Sequence, residues 1–592
     1  MADLSQQIAN LSPEKRALLE KLLKQEGVGQ RPNRILPVRR DGGAFPLSFA
    51  QQRLWFFDQL EPGSPLYNIP QAVRLTGRLD AGALEQALNE IVRRHEALRT
   101  TFETRDGQPV QVVAPSLALA LAHADLTALP AAEREAEARR QAHAEAQRPF
   151  DLRRGPLLRA SLLKLGADDH VVLLTLHHIV SDGWSIGVLL RELAILYDAY
   201  ASGRPSPLPP LPIQYADFVH WQRTTLAGAP LEQQLTYWTQ KLGDLPPPLE
   251  LPTDRPRPAI LSARGAHHGF VFPAELAAGL NALAQAEGAT LFMALLAGFQ
   301  ILLSRYSGQT DISVGSPIAN RTRAEIEPLI GVFINTLVLR TDLSSEPGAA
   351  EAPGFRALLK RVRETTLGAY AHQDLPFETL VERLHPVRDL SRTPLFQAMF
   401  VLQNAPAAGA QPLPATGLRL TPIEAHSGTA TFELTLSLTD TPQGLHGALE
   451  YSTDLFDAAT IERLIGHFRV LLEAAVREPD RPITRLPLLT AEERRLVLET
   501  WNATERAYPQ AAGVHQLFEA QAARTPEAIA AVVPAQAGRP RQTLTYAELD
   551  QRAAQLARHL RGLGVGPESL VGLAVERSPE MLVGLLGILK AG

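Results

Sequence analysis

From about residue 44 to 480, helical patterns alternate with short apolar runs. Val110-Gln111-Val112-Val113 and the runs at 171–176, 312–315 and 336–339 predict strands, while 80–94, 131–146, 186–201 and 273–287 carry helical spacing. The alternation indicates an α/β or α+β architecture. Upstream, Ser12 as cap, Pro13 at the first helical position and the stripe Leu18, Leu19, Leu22 and Leu23 predict an amphipathic helix over 12–26, ended by Gly27. Proline clusters at 205–212, 246–258 and 406–414 mark loops. The second is a lobe boundary, because the pattern of strand and helix restarts after it.

The rhythm changes near 480. A connector with a helix at 490–500 leads to a predicted strand at 529–533, helix at 546–561, strand at 569–575 and helix at 579–590. Thr545 and Glu548 form a capping box for the first of these helices, and Gly562 and Gly564 follow its end. This reads as the start of a parallel α/β domain. Since Gly592 follows directly on a helix, the reading is of an incomplete domain in a fragmentary chain.

The run at 171–176 is a buried strand, and it closes on His177-His178-Ile179-Val180-Ser181-Asp182-Gly183. Successive strand side chains face opposite ways, so only one histidine can face a given substrate. An imidazole accepts and returns a proton near neutrality, and Asp182 just past the strand is placed to orient its neighbourhood. That arrangement suits acyl transfer. The alternatives are a satisfied core histidine beside a surface one, or a metal site; His and Asp are common ligands, but no other cluster shows ligand spacing.

Composition narrows the field. A chain of 592 residues is too long for one core. With 45% hydrophobic and 20% charged residues it has the make-up of a soluble globular protein. Net charge of -5 and a pI near 6.4 give no support to nucleic-acid binding. No apolar run reaches the roughly 18 residues of a membrane span, and the N-terminus lacks the regions of a secretion signal. Zero cysteines exclude disulfides, thiolate catalysis and zinc–thiolate sites and fit a cytoplasmic protein. Any thioester chemistry therefore uses a sulfur supplied from elsewhere.

Seven stretches, in order, carry a family resemblance. They are Ser48-Phe49-Ala50-Gln51-Gln52-Arg53-Leu54-Trp55-Phe56, Arg94-His95-Glu96-Ala97-Leu98-Arg99-Thr100-Thr101-Phe102, His177 to Ser185, Tyr215-Ala216-Asp217-Phe218-Val219-His220-Trp221, Ile330 to Leu337, His372 to Glu378 and Arg388 to Gln397. In this series the chain resembles the condensation domain of nonribosomal peptide synthetases, of the type accepting an L-configured upstream residue. Leu544-Thr545-Tyr546-Ala547-Glu548-Leu549 and Leu589-Lys590-Ala591-Gly592 resemble the opening motifs of an adenylation domain. The resemblance implies two chloramphenicol-acetyltransferase-like lobes in a V-shaped pseudo-dimer, with a passage between them, and an incomplete α/β adenylation start. The expected layout is an N-terminal helix and linker with a possible docking role (1–43), N-lobe (44–250), C-lobe (251–480), connector (481–513) and adenylation fragment (514–592).

The implied reaction is attack by the amine of a carrier-bound aminoacyl thioester on an upstream carrier-bound acyl or peptidyl thioester. No cofactor is bound directly: phosphopantetheine arms arrive on donor and acceptor carrier proteins, and the ATP-phosphate loop is absent from this stretch. Further partners are the rest of the adenylation domain; no nucleic acid or membrane is implied. By resemblance His178 faces the passage, either accepting the amine proton or holding the amine on its attack line. His177 reads as structural, Asp182 as an ion-pair partner with Arg99 as its candidate arginine, and Gly183 as allowing close approach and freeing an amide for an oxyanion. Trp184 and Ser185 are candidates to line the channel, and Asn335 to reach the site from the other lobe. Competing readings are a non-catalytic carrier-docking platform, a stand-alone acyltransferase, and heterocyclisation or epimerisation relatives. His177 argues against the heterocyclisation pattern, which has Asp there.

Overall fold

The computed structural model describes residues 34–40, 44–244, 248–386, 389–403, 413, 416–423, 428–508, 510, 512–535 and 540–592. The helix expected at 12–26 and most of the third proline cluster lie outside them. The chain divides into two compact units, the larger ending at Ala491 and the smaller spanning Glu492–Gly592.

The larger unit holds three sheets, the two largest with separate cores. In the N-lobe, β2 (Asn68–Thr76), β5 (Leu121–Asp125), β6 (Leu158–Lys164) and β7 (Asp169–His177) form most of a five-stranded sheet. A small sheet of β1 (Ala44–Pro46), β3 (Thr100–Arg105) and β4 (Gln108–Val113) lies beside it in sequence. β7 is central, hydrogen-bonded antiparallel to β2 and to β6. That position explains its unbroken apolar run. Val172, Leu174 and Leu176 enter the main N-lobe core, whereas Val171 and Leu173 enter a second cluster with Ala138 and Leu163 on the opposite face. α1 (Phe49–Leu60), α2 (Ala81–Arg94), α3 (Ala131–Gln147), α4 (Gly183–Tyr200) and α5 (Tyr215–Thr225) complete the lobe.

In the C-lobe the sheet order is β10-β9-β11-β13-β14-β8. Its strands are β8 (Gly265–Pro273), β9 (Asp311–Ile318), β10 (Asn335–Asp342), β11 (Ala398–Gln403), β13 (Leu434–Thr441) and β14 (Gly444–Ser452). Helices Ala274–Ala286, Leu291–Ser307, Phe355–Ala371 and Ala458–Arg477 supply the apolar faces that fill its core. Among the described residues no single helix is long and apolar enough to cross a membrane.

Two segments cross between lobes. β12 (Arg419–Ile423), which follows β11 in the chain, pairs antiparallel with β2 and becomes the outer strand of the N-lobe sheet. Ile326, Leu329, Ile330, Val332 and Phe333 are buried in the N-lobe core although they lie between β9 and β10. The expected cut at residue 250 therefore does not separate two self-contained cores: chain from the second half completes the first.

The smaller unit contains α-helices Val514–Arg524, Tyr546–Gly562 and Pro579–Ala591 and a two-stranded sheet. The expected capping box is present, with Glu548 N–H donating to Thr545 Oγ1 at 3.1 Å and Thr545 N–H to Glu548 Oε2 at 2.8 Å. Two expectations fail. The sheet, Ile529–Val533 with Gln542–Thr545, is antiparallel. Residues 569–575 form no strand: nothing among the described residues pairs with them, and Leu570 is fully exposed. An apolar run becomes a strand only where a neighbour takes its hydrogen bonds.

Candidate active site

β7 delivers His177 to its last position, and a 3-10 turn, His178–Val180, reverses the chain toward α4. His177 is buried. Its Nδ1 accepts from Ile179 N–H at 3.1 Å, and its ring meets Phe150 edge-on with centroids 6.0 Å apart. Burial, then the neighbouring His178 and Arg159, push its pKa down to about 3, so it is a neutral packing residue.

His178 differs. From His170 to Asp182 it alone is partly exposed; every other residue is buried. Its N–H donates to Tyr67 O at 2.8 Å, which fixes the turn. Nδ1 is buried with no partner at hydrogen-bond geometry among the described residues, and Nε2 is left for the accessible side. Burial pushes the pKa below the ordinary imidazole value. Its own backbone and the Asp182 charge oppose the shift, and the Arg53 charge adds to it. The ring is therefore neutral, and able to accept a proton, at lower pH than a free imidazole.

Asp182 caps α4, accepting from Ser185 N–H at 2.8 Å. Its second oxygen accepts from Phe333 N–H at 2.9 Å, a tie to the crossing segment between β9 and β10. Its ion-pair partner is Arg321, at 3.2 Å, with the two side chains 1% and 2% exposed. This corrects the expected partner. Arg99 sits in the turn Glu96–Arg99, bonded to Ala114 O and 3.7 Å from Glu96. Its short local reach to the β4 end leaves Asp182 to a residue from the C-lobe half of the chain.

Ser185 is also corrected. It is fully buried: its hydroxyl accepts from Arg321 Nη2 at 2.8 Å and Gly331 N–H at 3.1 Å, with Asp182 and Gly331 O as alternative acceptors for its proton. It lines no channel. Trp184 donates its indole N–H to Glu327 O at 3.0 Å and is 39% exposed as a residue. Gly183 is exposed, and a side-chain carbon placed there would meet open space. Asn335 is buried and spent: Nδ2 donates to Gln373 O at 2.9 Å and Leu375 O at 2.7 Å, and Oδ1 accepts from Phe377 N–H at 3.1 Å. Its amide is taken up in holding the 373–377 turn. His95 is structural: Nε2 meets Glu192 at 3.0 Å and Nδ1 accepts from Ile330 N–H at 3.3 Å.

Several supporting residues carried no role in the sequence. Tyr215 O–H lies 2.8 Å from Ser48 Oγ and 2.7 Å from Val332 O, joining three of the ordered motifs. Gln51 Nε2 donates to Ile179 O at 3.4 Å, beside the His178 turn. Arg321 lies outside every motif, and nothing in its local pattern separates it from other arginines. Among the described residues no group of three His, Cys, Asp or Glu side chains converges as a metal site.

Comparison with known proteins defines the family. The Condensation domain family model covers residues 42–498, and that of the AMP-binding enzymes covers 518–592. The chain belongs to the condensation-domain family, followed by the start of an AMP-binding domain, the order found in nonribosomal peptide synthetases. It is 53% identical to a linear gramicidin synthase of Brevibacillus parabrevis over 97% of this chain and 11% of that protein. It is 44% identical to phosphinothricin tripeptide synthetase PhsC of Streptomyces viridochromogenes over 100% of this chain and 53% of that one. The chain thus spans only part of the relatives it matches. Among solved structures, the first condensation domain of the calcium-dependent antibiotic synthetase, in complex with a substrate analogue, aligns with a TM-score of 0.64 and 26% identity over 76% of this chain and 100% of that one. The larger unit thus has the condensation-domain fold of paired chloramphenicol-acetyltransferase-like lobes.

Proposed function

We propose that this chain forms an amide bond between two substrates tethered as thioesters, with His178 as the group that handles the amine proton. The single observation carrying the reading is that His178 alone stays accessible in an otherwise buried stretch. The acceptor amine attacks the donor thioester carbonyl; the C–N bond forms, the amine loses a proton, the C–S bond breaks and the donor thiol leaves. An α-amino group titrates near 8, so a useful fraction is neutral before attack. The proton to be removed is the one the attacking nitrogen carries afterwards, and a neutral, desolvated imidazole suits that task. The first turn of α4 leaves N–H groups without intrahelical acceptors, and the open space over Gly183 lets a developing oxyanion approach them.

Both substrates arrive on phosphopantetheine arms of carrier proteins, a donor upstream and an acceptor downstream. Exposed Phe56, Phe57 and Leu60 on α1 give such a carrier an apolar surface. The donor is of the L-configured type, and the smaller unit opens the domain that would load the acceptor. The test is single-turnover condensation, with a panel of aminoacyl-loaded carriers as donors and glycyl-N-acetylcysteamine as soluble acceptor. Wild type forms peptidyl thioester and His178→Ala loses it; a wild type inert with every pair, or an unaffected variant, defeats the proposal.

A further inference from the structure

We infer that Arg53 and Glu378 form a clamp that ties α1 of the N-lobe to the C-lobe at the rim of the His178 site and positions the imidazole turn. Arg53 Nη1 lies 2.9 Å from Glu378 Oε1, in the first turn of the helix Phe377–Leu384. The side chains are 30% and 23% exposed, so the pair is partly shielded from water rather than freely hydrated.

The pair is anchored on both sides. On the N-lobe side the Arg53 cation lowers the pKa of the Tyr67 phenol, against the larger upward push of burial, and Tyr67 O receives the His178 N–H at 2.8 Å. On the C-lobe side Asn335, at the start of β10, holds Phe377 N–H and the carbonyls of Gln373 and Leu375. Neighbouring groups therefore connect the C-lobe sheet to the His178 turn: Asn335 through Phe377 to its neighbour Glu378, Glu378 to Arg53, and Tyr67, on which the Arg53 charge acts, to the His178 N–H. Two of the ordered motifs meet at this contact, which gives Arg53 and Glu378 a shared task neither motif shows alone. Both are positioning residues, since neither touches the reacting atoms here.

The clamp also sets charge. The charged and titratable groups around His178 are Asp182, Arg53 and His177, with Tyr67 and Glu378 acting through Arg53. The Arg53 cation disfavours protonation of His178 and Glu378 offsets that cation. Neutralising either partner should move the acid limb of the rate profile in opposite directions.

The inference rests on the proposed role of His178. The experiment uses the intact chain in the single-turnover reaction with the aminoacyl-carrier panel and glycyl-N-acetylcysteamine. It compares Arg53→Glu, Glu378→Arg and their double exchange, the charge-removing Arg53→Gln and Glu378→Gln, and His178→Ala. Each reversal should cut the maximal rate about tenfold, and the double exchange should recover most of it, as expected of coupled neighbours. With the rate divided by the neutral fraction of the acceptor amine, the glutamine variants should move the acid limb up in pH for Arg53→Gln and down for Glu378→Gln. A pair serving stability alone would lower melting temperature and leave the limb unmoved. Unchanged rates in the reversals, a folded double variant no better than the singles, or fixed limbs in both glutamine variants each overturn the clamp. A His178→Ala rate equal to wild type defeats the functional reading instead.

Discussion

Replacing Asp182 tests whether this residue belongs to the chemistry or to the frame. It pairs with Arg321 at 3.2 Å and accepts from Ser185 N–H at 2.8 Å and Phe333 N–H at 2.9 Å. Asp182→Asn removes the charge and leaves Arg321, 1% exposed at its side chain, without a counterion. Breaking a buried pair on one side costs about 3–5 kcal/mol. Asp182→Ala also removes the α4 cap, about 1 kcal/mol. It strands the Phe333 N–H as well, about 1–3 kcal/mol. The sum, roughly 5–9 kcal/mol, rivals the entire stability of a domain, about 5–15 kcal/mol. The alanine variant should therefore be largely insoluble, and the asparagine variant soluble with a lowered melting temperature. Thermal unfolding of the intact chain by circular dichroism, with limited proteolysis to separate the two units, reads this directly. Removing both charges in Asp182→Asn/Arg321→Gln should destabilise less than Asp182→Asn alone. An asparagine variant that melts like wild type but has lost its single-turnover rate would refute the reasoning and make Asp182 part of the reaction.

Other perturbations separate frame from site in different ways. Gly183→Ala meets no neighbouring atom, so melting should change by less than about 0.5 kcal/mol; turnover should fall if substrates occupy that space, and a full rate would show that they do not. Divided by the neutral fraction of the acceptor amine, which titrates near 8, the rate should hold below the ordinary imidazole pKa and fall only as pH drops through the lowered pKa of His178; an acid limb of this corrected rate at or above the ordinary imidazole value contradicts a buried base. Glu450 offers a pH test of the C-lobe. Burial raises its pKa from 4.5 to about 7. A folded carboxyl with a raised pKa contributes stability below the unfolded value and loses it as pH rises through the folded one. Glu450→Gln should thus melt like wild type near pH 4 and be more stable by up to about 3 kcal/mol at pH 8, read by pH-dependent thermal denaturation.

Elements dictated by local pattern were legible in the sequence. The run before His177 is a central strand because both its faces are covered, and Asp80 caps the helix Ala81–Arg94 with its side chain on Ala83 N–H at 3.0 Å. What escaped is long-range. Arg321 is 139 residues from Asp182, and hydropathy does not encode which of many arginines returns to a given aspartate. Asn335 was expected near the site from its place at a strand start, yet an amide there first satisfies the turn that crosses in front of it. β12 was equally hidden, because a C-lobe segment completing an N-lobe sheet obeys no local rule. Residues 569–575 show the reverse error: a strand-like composition with no partner.

The central claim is that His178 acts on a substrate amine at the one accessible point of a buried turn. Single-turnover condensation by His178→Ala, beside wild type and with matched melting temperatures, tests it most directly. The expected variant is folded, with its rate reduced about 10²–10⁴-fold, the usual worth of a general base. A folded variant condensing at the wild-type rate would contradict it.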